Sequence, residues 1–314
     1  MSRIVVALGG NAILKPKQRG TITEQLENVR TTSRQIASMI AMGHEVVVTH
    51  GNGPQVGNIL LQNEEAYKAA GIPPMPLDVC GSKSQGLLGY LIQRSLRNEL
   101  VTRGIRKHVA TIVTQVLVKR DDPAFLNPEK PIGPFYTPER ARRLANERGY
   151  VMKEDANRGL RRVVPSPDPT RIVEIEVIRT LVDAGNIVIA SGGGGIPVIE
   201  DDRGRLEGIE AVIDKDLAGE RLATDLKADT FLILTDVDQV ALDFGKPTQR
   251  FISQASVSEV RNWQQESHFR PGSMGPKVEA AVRFVLAGGD RAVITSLEAA
   301  CAALDGAGTH ITRE

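Results

Sequence analysis

Short, almost uninterrupted apolar runs recur along the chain, each separated from the next by a stretch of helical periodicity. The runs are Arg3–Leu8, Glu45–Thr49, His108–Thr114, Asn186–Ala190, Thr230–Leu234 and Ala292–Thr295. A strand with one face in water alternates apolar and polar residues, whereas a strand apolar throughout is covered on both faces. Runs of this kind joined by helices predict a mainly parallel sheet between two helical layers. The first helix is expected from Thr21, where Glu24 completes the spacing of a capping box and Leu26, Val29, Ile36 and Ile40 mark one face. Further helices are expected near Ser84–Val101, Glu174–Ala184, Asp216–Leu226, Ser256–Gln265 and Pro276–Leu286, with a short one at the C-terminus.

The rhythm breaks between about Lys119 and Pro169. Pro123, Pro128, Pro131, Pro134 and Pro138 fall close together, too many for a sheet strand or a helix interior, and charged pieces follow at Thr137–Arg148 and Leu160–Val164. This segment reads as an inserted excursion, either a small lid-like subdomain or a purely structural elaboration.

Composition narrows the function classes. A length of 314 residues allows one large core or two lobes, and a formal net charge of +1 lends little support to a mainly nucleic-acid-binding role. The Arg140–Arg162 stretch is locally basic, as a solvated face or as an anion-facing surface over a cleft. Cys80 and Cys301 form no disulfide framework and no Cys-x-x-Cys, so both read as inert thiols. The N-terminus runs straight into a strand without a signal-peptide pattern, and no stretch approaches the roughly 20 apolar residues of a membrane span. A cytoplasmic location is the expectation.

Ligands of open parallel sheets bind beyond the carboxyl ends of the strands. Four glycine-rich or polar segments stand at such ends: Gly9-Gly10-Asn11, Gly51-Asn52-Gly53, Gly192 to Gly195, and Thr235-Asp236-Val237-Asp238. One alone is a turn; four together point to a shared anion site built from backbone N–H groups and helix N-termini. There is no P-loop pattern and no well-placed dinucleotide fingerprint, and transition-metal spacings are absent. His50 stands at a strand end, where a structural hydrogen bond and a ligand contact are equally open.

Three lysines are the cationic candidates. Lys215 lies in Asp214-Lys215-Asp216 before a helix, either held toward phosphate by an acid or in water with Asp216 as the cap. Lys277 follows Gly275-Pro276 at a helix start, where the dipole disfavours a cation unless an anion is bound. Lys130 sits among prolines in the excursion, reaching into the site or lying in solvent. Phosphoryl transfer needs positioning and charge stabilisation more than covalent chemistry, and this residue set suits it.

Several segments, taken jointly and in order, resemble the carbamate kinase family of the amino acid kinase superfamily over essentially the whole chain. They are Ala7 to Ala12, His50 to Gly57, Asp122 to Phe125 leading into Lys130 to Tyr136, Gly192 to Pro197, Val212 to Asp216, and Gly272 to Lys277. The resemblance implies a three-layer α/β/α sandwich with an open, mostly parallel central sheet and a small protruding subdomain, usually assembled as a homodimer. It implies an N-terminal carbamate-binding lobe over residues 1–220, including the subdomain at about 119–169, and a nucleotide-binding lobe over 221–314. The implied reaction is reversible: ATP plus carbamate gives ADP plus carbamoyl phosphate, commonly run toward ATP in catabolism, with Mg2+ carried on the nucleotide and no protein-held metal.

By the same resemblance, Gly9, Gly10, Asn11, Gly51, Asn52 and Gly53 line the carbamate and phosphoryl side. Lys130 and Lys215 contact the transferring group, and Asp214 orients the lysines. Lys277 and Gly275 approach the nucleotide phosphates, and Thr235, Asp236, Val237 and Asp238 belong to the nucleotide lobe. Ala7 stands where many relatives of other specificity carry a catalytic lysine, and Lys130 supplies a cation instead. The alternatives are another amino acid kinase acting on a small carboxylate, or a non-catalytic regulatory homologue. The pathway that supplies the substrate is not legible in the chain.

Overall fold

Along the first strand, Arg3–Leu8, the side chains of Val5 and Ala7 join one apolar cluster, and those of Ile4, Val6 and Leu8 join another on the opposite face. That division follows from the twofold period of a strand and requires apolar cover on both sides. The computed structural model describes residues 2–155 and 159–314. Its central sheet has eight strands in the order Gln254–Ser256, Thr309–Thr312, Arg291–Ser296, Thr230–Thr235, Arg3–Leu8, Glu45–His50, Ile187–Ile189 and Val109–Thr111. Every adjacent pair is parallel except Arg291–Ser296 with Thr309–Thr312. The three-layer α/β/α sandwich is therefore the observed fold.

Eight α-helices surround the sheet among the described residues: α1 (Ile22–Ala41), α2 (Gly53–Ala70), α3 (Leu77–Thr102), α4 (Pro138–Arg148), α5 (Ile175–Asp183), α6 (Lys215–Asp225), α7 (Val257–Gln265) and α8 (Met274–Leu286). Helices α1 and α3 cover one face through Ile36, Met39, Leu88, Ile92 and Leu96, all buried. Helices α5, α6 and α8 cover the other through Ile178, Leu222, Val282 and Phe284. The expected capping box is present: the Thr21 hydroxyl accepts from the Glu24 N–H, and the Glu24 carboxylate accepts from the Thr21 N–H. Among the described residues, no helix is long and apolar enough to cross a membrane.

Two expectations are corrected at the level of elements. The run His108–Thr114 yields a shorter strand, Val109–Thr111, which closes the edge of the main sheet, and a separate strand, Gln115–Val118, follows it into a second, four-stranded sheet. The chain ends in a strand, Thr309–Thr312, after a short 3-10 turn at Ala302–Asp305, where a terminal helix was expected. Thr309 and Ile311 are both buried against the sheet, an outcome that depends on tertiary pairing rather than local propensity.

The excursion is a three-stranded antiparallel sheet, in the order Lys130–Tyr136, Leu160–Val164, Val151–Glu154, with α4 packed on it. Its prolines do not prevent a strand. Pro131 and Pro134 lie within Lys130–Tyr136, which is an edge strand whose pairing is irregular between Ile132 and Tyr136. An edge position with a register shift is where a strand tolerates residues lacking an N–H. Pro138 occupies the first turn of α4, where its missing donor is not needed.

Candidate active site

The four strands Thr230–Thr235, Arg3–Leu8, Glu45–His50 and Ile187–Ile189 are consecutive neighbours and all parallel, so their carboxyl ends share one edge of the sheet. All four segments singled out in the sequence leave the sheet there. Two adjoining cavities open beyond that edge. The larger, of about 540 Å3, is lined by Gly9, Gly10, Asn11, Lys15, Thr235, Asp236 and Glu298, among others. The smaller, of about 280 Å3, is lined by Gly51, Asn52, Gly53, Lys130, Arg161 and Asp214, among others. Gly10, Lys215, Gly272, Ser273 and Lys277 line both and form the common wall.

Three α-helices start at the smaller cavity: α2 at Gly53, α6 at Lys215 and α8 at Met274, just after the lining residue Ser273. Each N-terminus presents unpaired N–H groups and the positive end of its dipole. The lysines add full charges on the same wall. Lys130 Nζ donates to Asp214 Oδ2 at 2.7 Å. Lys215 Nζ donates to Asp216 Oδ1 at 2.6 Å, and Lys277 Nζ donates to Asp216 Oδ2 at 3.1 Å. Asp216 is 2% exposed. Burial alone would raise its carboxyl, but Lys215 and Lys277 override that and hold it below the ordinary aspartate value.

Asp214 has two jobs. Its Oδ1 accepts from the Asp216 N–H at 2.9 Å, capping α6, while Oδ2 receives Lys130. The helix cap is thus Asp214, not Asp216, because Asp216 is turned inward as the hub between two lysines. The stem of Lys215 crosses the Gly51 loop: a Cβ on Gly51 would lie 3.3 Å from Lys215 Cδ.

The Gly192–Gly195 run mostly serves packing. A Cβ on Gly192 would lie 2.4 Å from His50 Nε2, and one on Gly193, at φ +68°, would lie 2.1 Å from the Asn52 amide nitrogen. Of the run, Gly193 lines the smaller cavity. His50 is buried, with Nδ1 3.0 Å from the Gly51 carbonyl, to which it donates. Burial pulls its pKa from 6.5 to about 4; the Gly51 bond opposes this and Lys215 reinforces it. The imidazole is therefore neutral and serves the cavity floor structurally. Asn52 is held by donation from Nδ2 to Ser84 Oγ at 2.7 Å.

The remaining candidates separate. Val237 lines a third, more apolar cavity of about 210 Å3, together with Phe244, Phe251, Phe269 and Met274. It adjoins the larger cavity through Asp236, Ser273 and Met274, which line both. Asp238 and Gly275 line none of the three cavities. The Asp238 carbonyl accepts from Thr295 Oγ1, and the Gly275 N–H donates to the Arg270 carbonyl in the loop before α8. Sequence reasoning missed Asp216 as a hub, because Lys277 lies 61 residues away in the chain. It also left Lys15 unmentioned and did not single out Arg161 and Ser273, although Arg161 lies in the basic Arg140–Arg162 stretch and Ser273 in the Gly272–Lys277 segment.

Comparison with known proteins identifies the family and close relatives. The model of the amino acid kinase family matches residues 2–296. A carbamate kinase of Thermococcus kodakarensis is 57% identical, with all of both chains covered. One of Pyrococcus horikoshii is 57% identical over 99% of each. A solved carbamate kinase of Giardia lamblia, bound to AMP-PNP, superposes with a TM-score of 0.94 at 44% identity, covering 100% of this chain and 99% of that one.

Proposed function

The chain belongs to the amino acid kinase family, and within it to the carbamate kinases, and we propose on that premise that the paired cavities are the two halves of its active site. The enzyme transfers a phosphoryl group reversibly between ATP and carbamate, giving ADP and carbamoyl phosphate. The smaller cavity receives carbamate or the carbamoyl end, with Gly51, Asn52 and Gly53 along its wall. The larger receives the nucleotide phosphates against Thr235 and Asp236, and the apolar third cavity suits the planar base. Gly9, Gly10 and Asn11, expected on the carbamate and phosphoryl side, line the larger cavity, and of the three Gly10 also lines the smaller one. A carbamate lobe over 1–220 and a nucleotide lobe over 221–314 belong to the same proposal, although each cavity is lined from both sides of that boundary and one continuous sheet spans both.

The observation that carries the reading is the lining of the smaller cavity, where three lysines on two carboxylates and three helix N-termini meet, with Lys215 and Lys277 shared with the larger cavity. A phosphoryl group in flight spreads negative charge over its equatorial oxygens and needs fixed donors at that spot. Lys130, Lys215 and Lys277 are pre-aimed by Asp214 and Asp216, so little reorganisation accompanies transfer. Fixed donors at this place suit direct in-line transfer. Ala7 is buried in the central sheet and offers no cation, and Lys130 supplies one from the excursion.

Mg2+ fits as a passenger of the nucleotide. Among the described residues, no three His, Cys, Asp or Glu gather to hold a metal ion, and Asp214 and Asp216 are engaged by lysines. An ion coordinated mainly by phosphate oxygens needs only one or two protein carboxylates, and Asp236 and Glu298 line the larger cavity for that purpose. When bound, it neutralises charge between the phosphates.

The test is ATP formation from carbamoyl phosphate and Mg-ADP by the purified protein and its Lys215→Ala variant. The expected result is robust ATP formation, with kcat lowered roughly 10²–10³-fold in the folded variant, the range for losing one preorganised donor. No ATP from the intact protein overturns the proposal. Unchanged turnover in the variant overturns the role of Lys215. A homodimer is the proposed assembly, checked by its mass in solution.

A further inference from the structure

Beyond the cavities, the excursion strand carrying Lys130 is fastened at its far end. Strand Lys130–Tyr136 and helix α2 both start at the smaller cavity, one with Lys130 and the other with Gly53. They run outward side by side, and midway the backbones nearly touch: a Cβ on Gly57 would lie 3.5 Å from Gly133 Cα. At their outer ends they are tied by one residue. Tyr136 Oη donates to Glu64 Oε1 at 2.8 Å, and Arg140 of α4 donates to Glu64 Oε2 at 2.8 Å.

The lengths match. Eleven helical residues from Gly53 to Glu64 rise about 16 Å, and six strand residues from Lys130 to Tyr136 span about 20 Å. Glu64 is 6% exposed, and its carboxylate takes a hydrogen bond on each oxygen. Burial, and then the Glu64 carboxylate, push the Tyr136 phenol well above its ordinary value, so it remains a donor. The Arg140 guanidinium also stacks 5.3 Å from the centre of the Tyr136 ring. The excursion's outer part has a small apolar cluster with Tyr136, Ala141 and Leu144 as buried members. Nearer the cavity, Ile132 and Val164 share a second buried cluster with Val56 and Ile59 of α2. Pro131 and Pro134 stiffen the strand between tie and lysine.

We propose that Glu64 is a positioning residue for Lys130: by docking Tyr136 and Arg140 it sets the angle of the excursion and hence where the Lys130 ammonium stands in the transfer site. The inference rests on the phosphotransfer reading above, and adds a residue remote from the reacting atoms. The tie adds two directed hydrogen bonds at the outer end of the apolar contact that Ile132 and Val164 make with α2, and directed bonds single out one seated geometry where apolar contact alone does not.

The experiment is a double-mutant cycle of Glu64→Gln and Lys130→Ala, read by kcat and by KM for ADP, with backbone hydrogen exchange on each protein. Glu64→Gln keeps the shape and loses the charge that holds Arg140. The expected result is a roughly ten- to hundredfold lower kcat, the scale of a misplaced catalytic group, with KM for ADP unchanged. In the Lys130→Ala background the same change lowers kcat by no more than about twofold, because its effect passes through Lys130. Equal losses in both backgrounds, or none in either, overturn the proposal. If the unmodified protein forms no ATP, the functional reading fails by itself, and exchange then decides the docking role. Faster exchange confined to residues 130–164 in Glu64→Gln upholds it, and unchanged exchange overturns it.

Discussion

The body of the molecule and its excursion hold their site residues by different physics. In the body, the glycine loops, His50 and Asn52 sit on four parallel strands with an apolar cluster on each face. Their positions are set by close packing, to the point that Gly192 and Gly193 leave no room for a methyl group. In the excursion, Lys130 rides on an edge strand backed by two small apolar clusters, one shared with α2 through Ile132 and Val164 and one around Tyr136, Ala141 and Leu144. Directed bonds through Glu64, Tyr136, Arg140 and Asp214 complete its seat. A dense apolar interior specifies a place through many weak contacts and resists displacement. A few directed hydrogen bonds specify one place sharply and can be released as a unit. The enzyme thus keeps a rigid cradle for its substrates and a detachable arm for one of its cations.

The contrast breaks most visibly under paired leucine truncations. Leu88 is fully buried beneath the main sheet, and Leu88→Ala is expected to lower the global unfolding free energy by about 2–5 kcal/mol. Leu144 belongs to the excursion's small cluster, and Leu144→Ala is expected to lower the global value by about 1 kcal/mol or less while speeding exchange locally. Urea unfolding with exchange mass spectrometry measures both. Equal global losses would show that the excursion unfolds with the body and would erase the distinction.

Gly192→Ala sharpens the same point at the cradle. The added methyl meets the buried His50 ring at 2.4 Å and is expected to destabilise by about 1–3 kcal/mol, as overpacking does. Thermal unfolding of the variant checks this; an unchanged midpoint would mean the ring has slack.

The smallest effect is a pH slope. His50 is neutral in the fold with a pKa of about 4, against 6.5 when free. The unfolded chain therefore binds a proton that the folded chain does not, and stability is full above pH 6.5 and falls as the pH drops toward 4. His50→Gln is expected to flatten that limb in urea midpoints taken across the interval. An unaltered slope would assign it to other groups.

How much of this was legible in the chain follows the same divide. The sheet, its parallel sense and the four strand-end segments were readable, because apolar runs and glycine clusters are local signals. The capping box at Thr21 was readable for the same reason. The excursion was recognisable as a break, but its prolines argued against the strand they occupy, since an edge position is a tertiary fact. Asp216 looked like a helix cap beside Lys215, and only the approach of Lys277 from a distant helix makes it a hub. Glu64 carried no signal at all, because its partners lie 72 and 76 residues further on.

The wall between the cavities has a consequence for how anions are admitted. Lys130, Lys215 and Lys277 are held by Asp214 and Asp216, so these five side chains sum to 3 − 2 = +1 rather than +3. The resting site carries its own counter-ions. It projects a weak field into solvent and has little reason to condense stray anions from the medium. An incoming phosphate must then win hydrogen bonds away from carboxylates already seated, an exchange of partners that rewards correct shape over mere charge. Discrimination at this wall is a matter of competition from within, and the aspartates are the standing competitors.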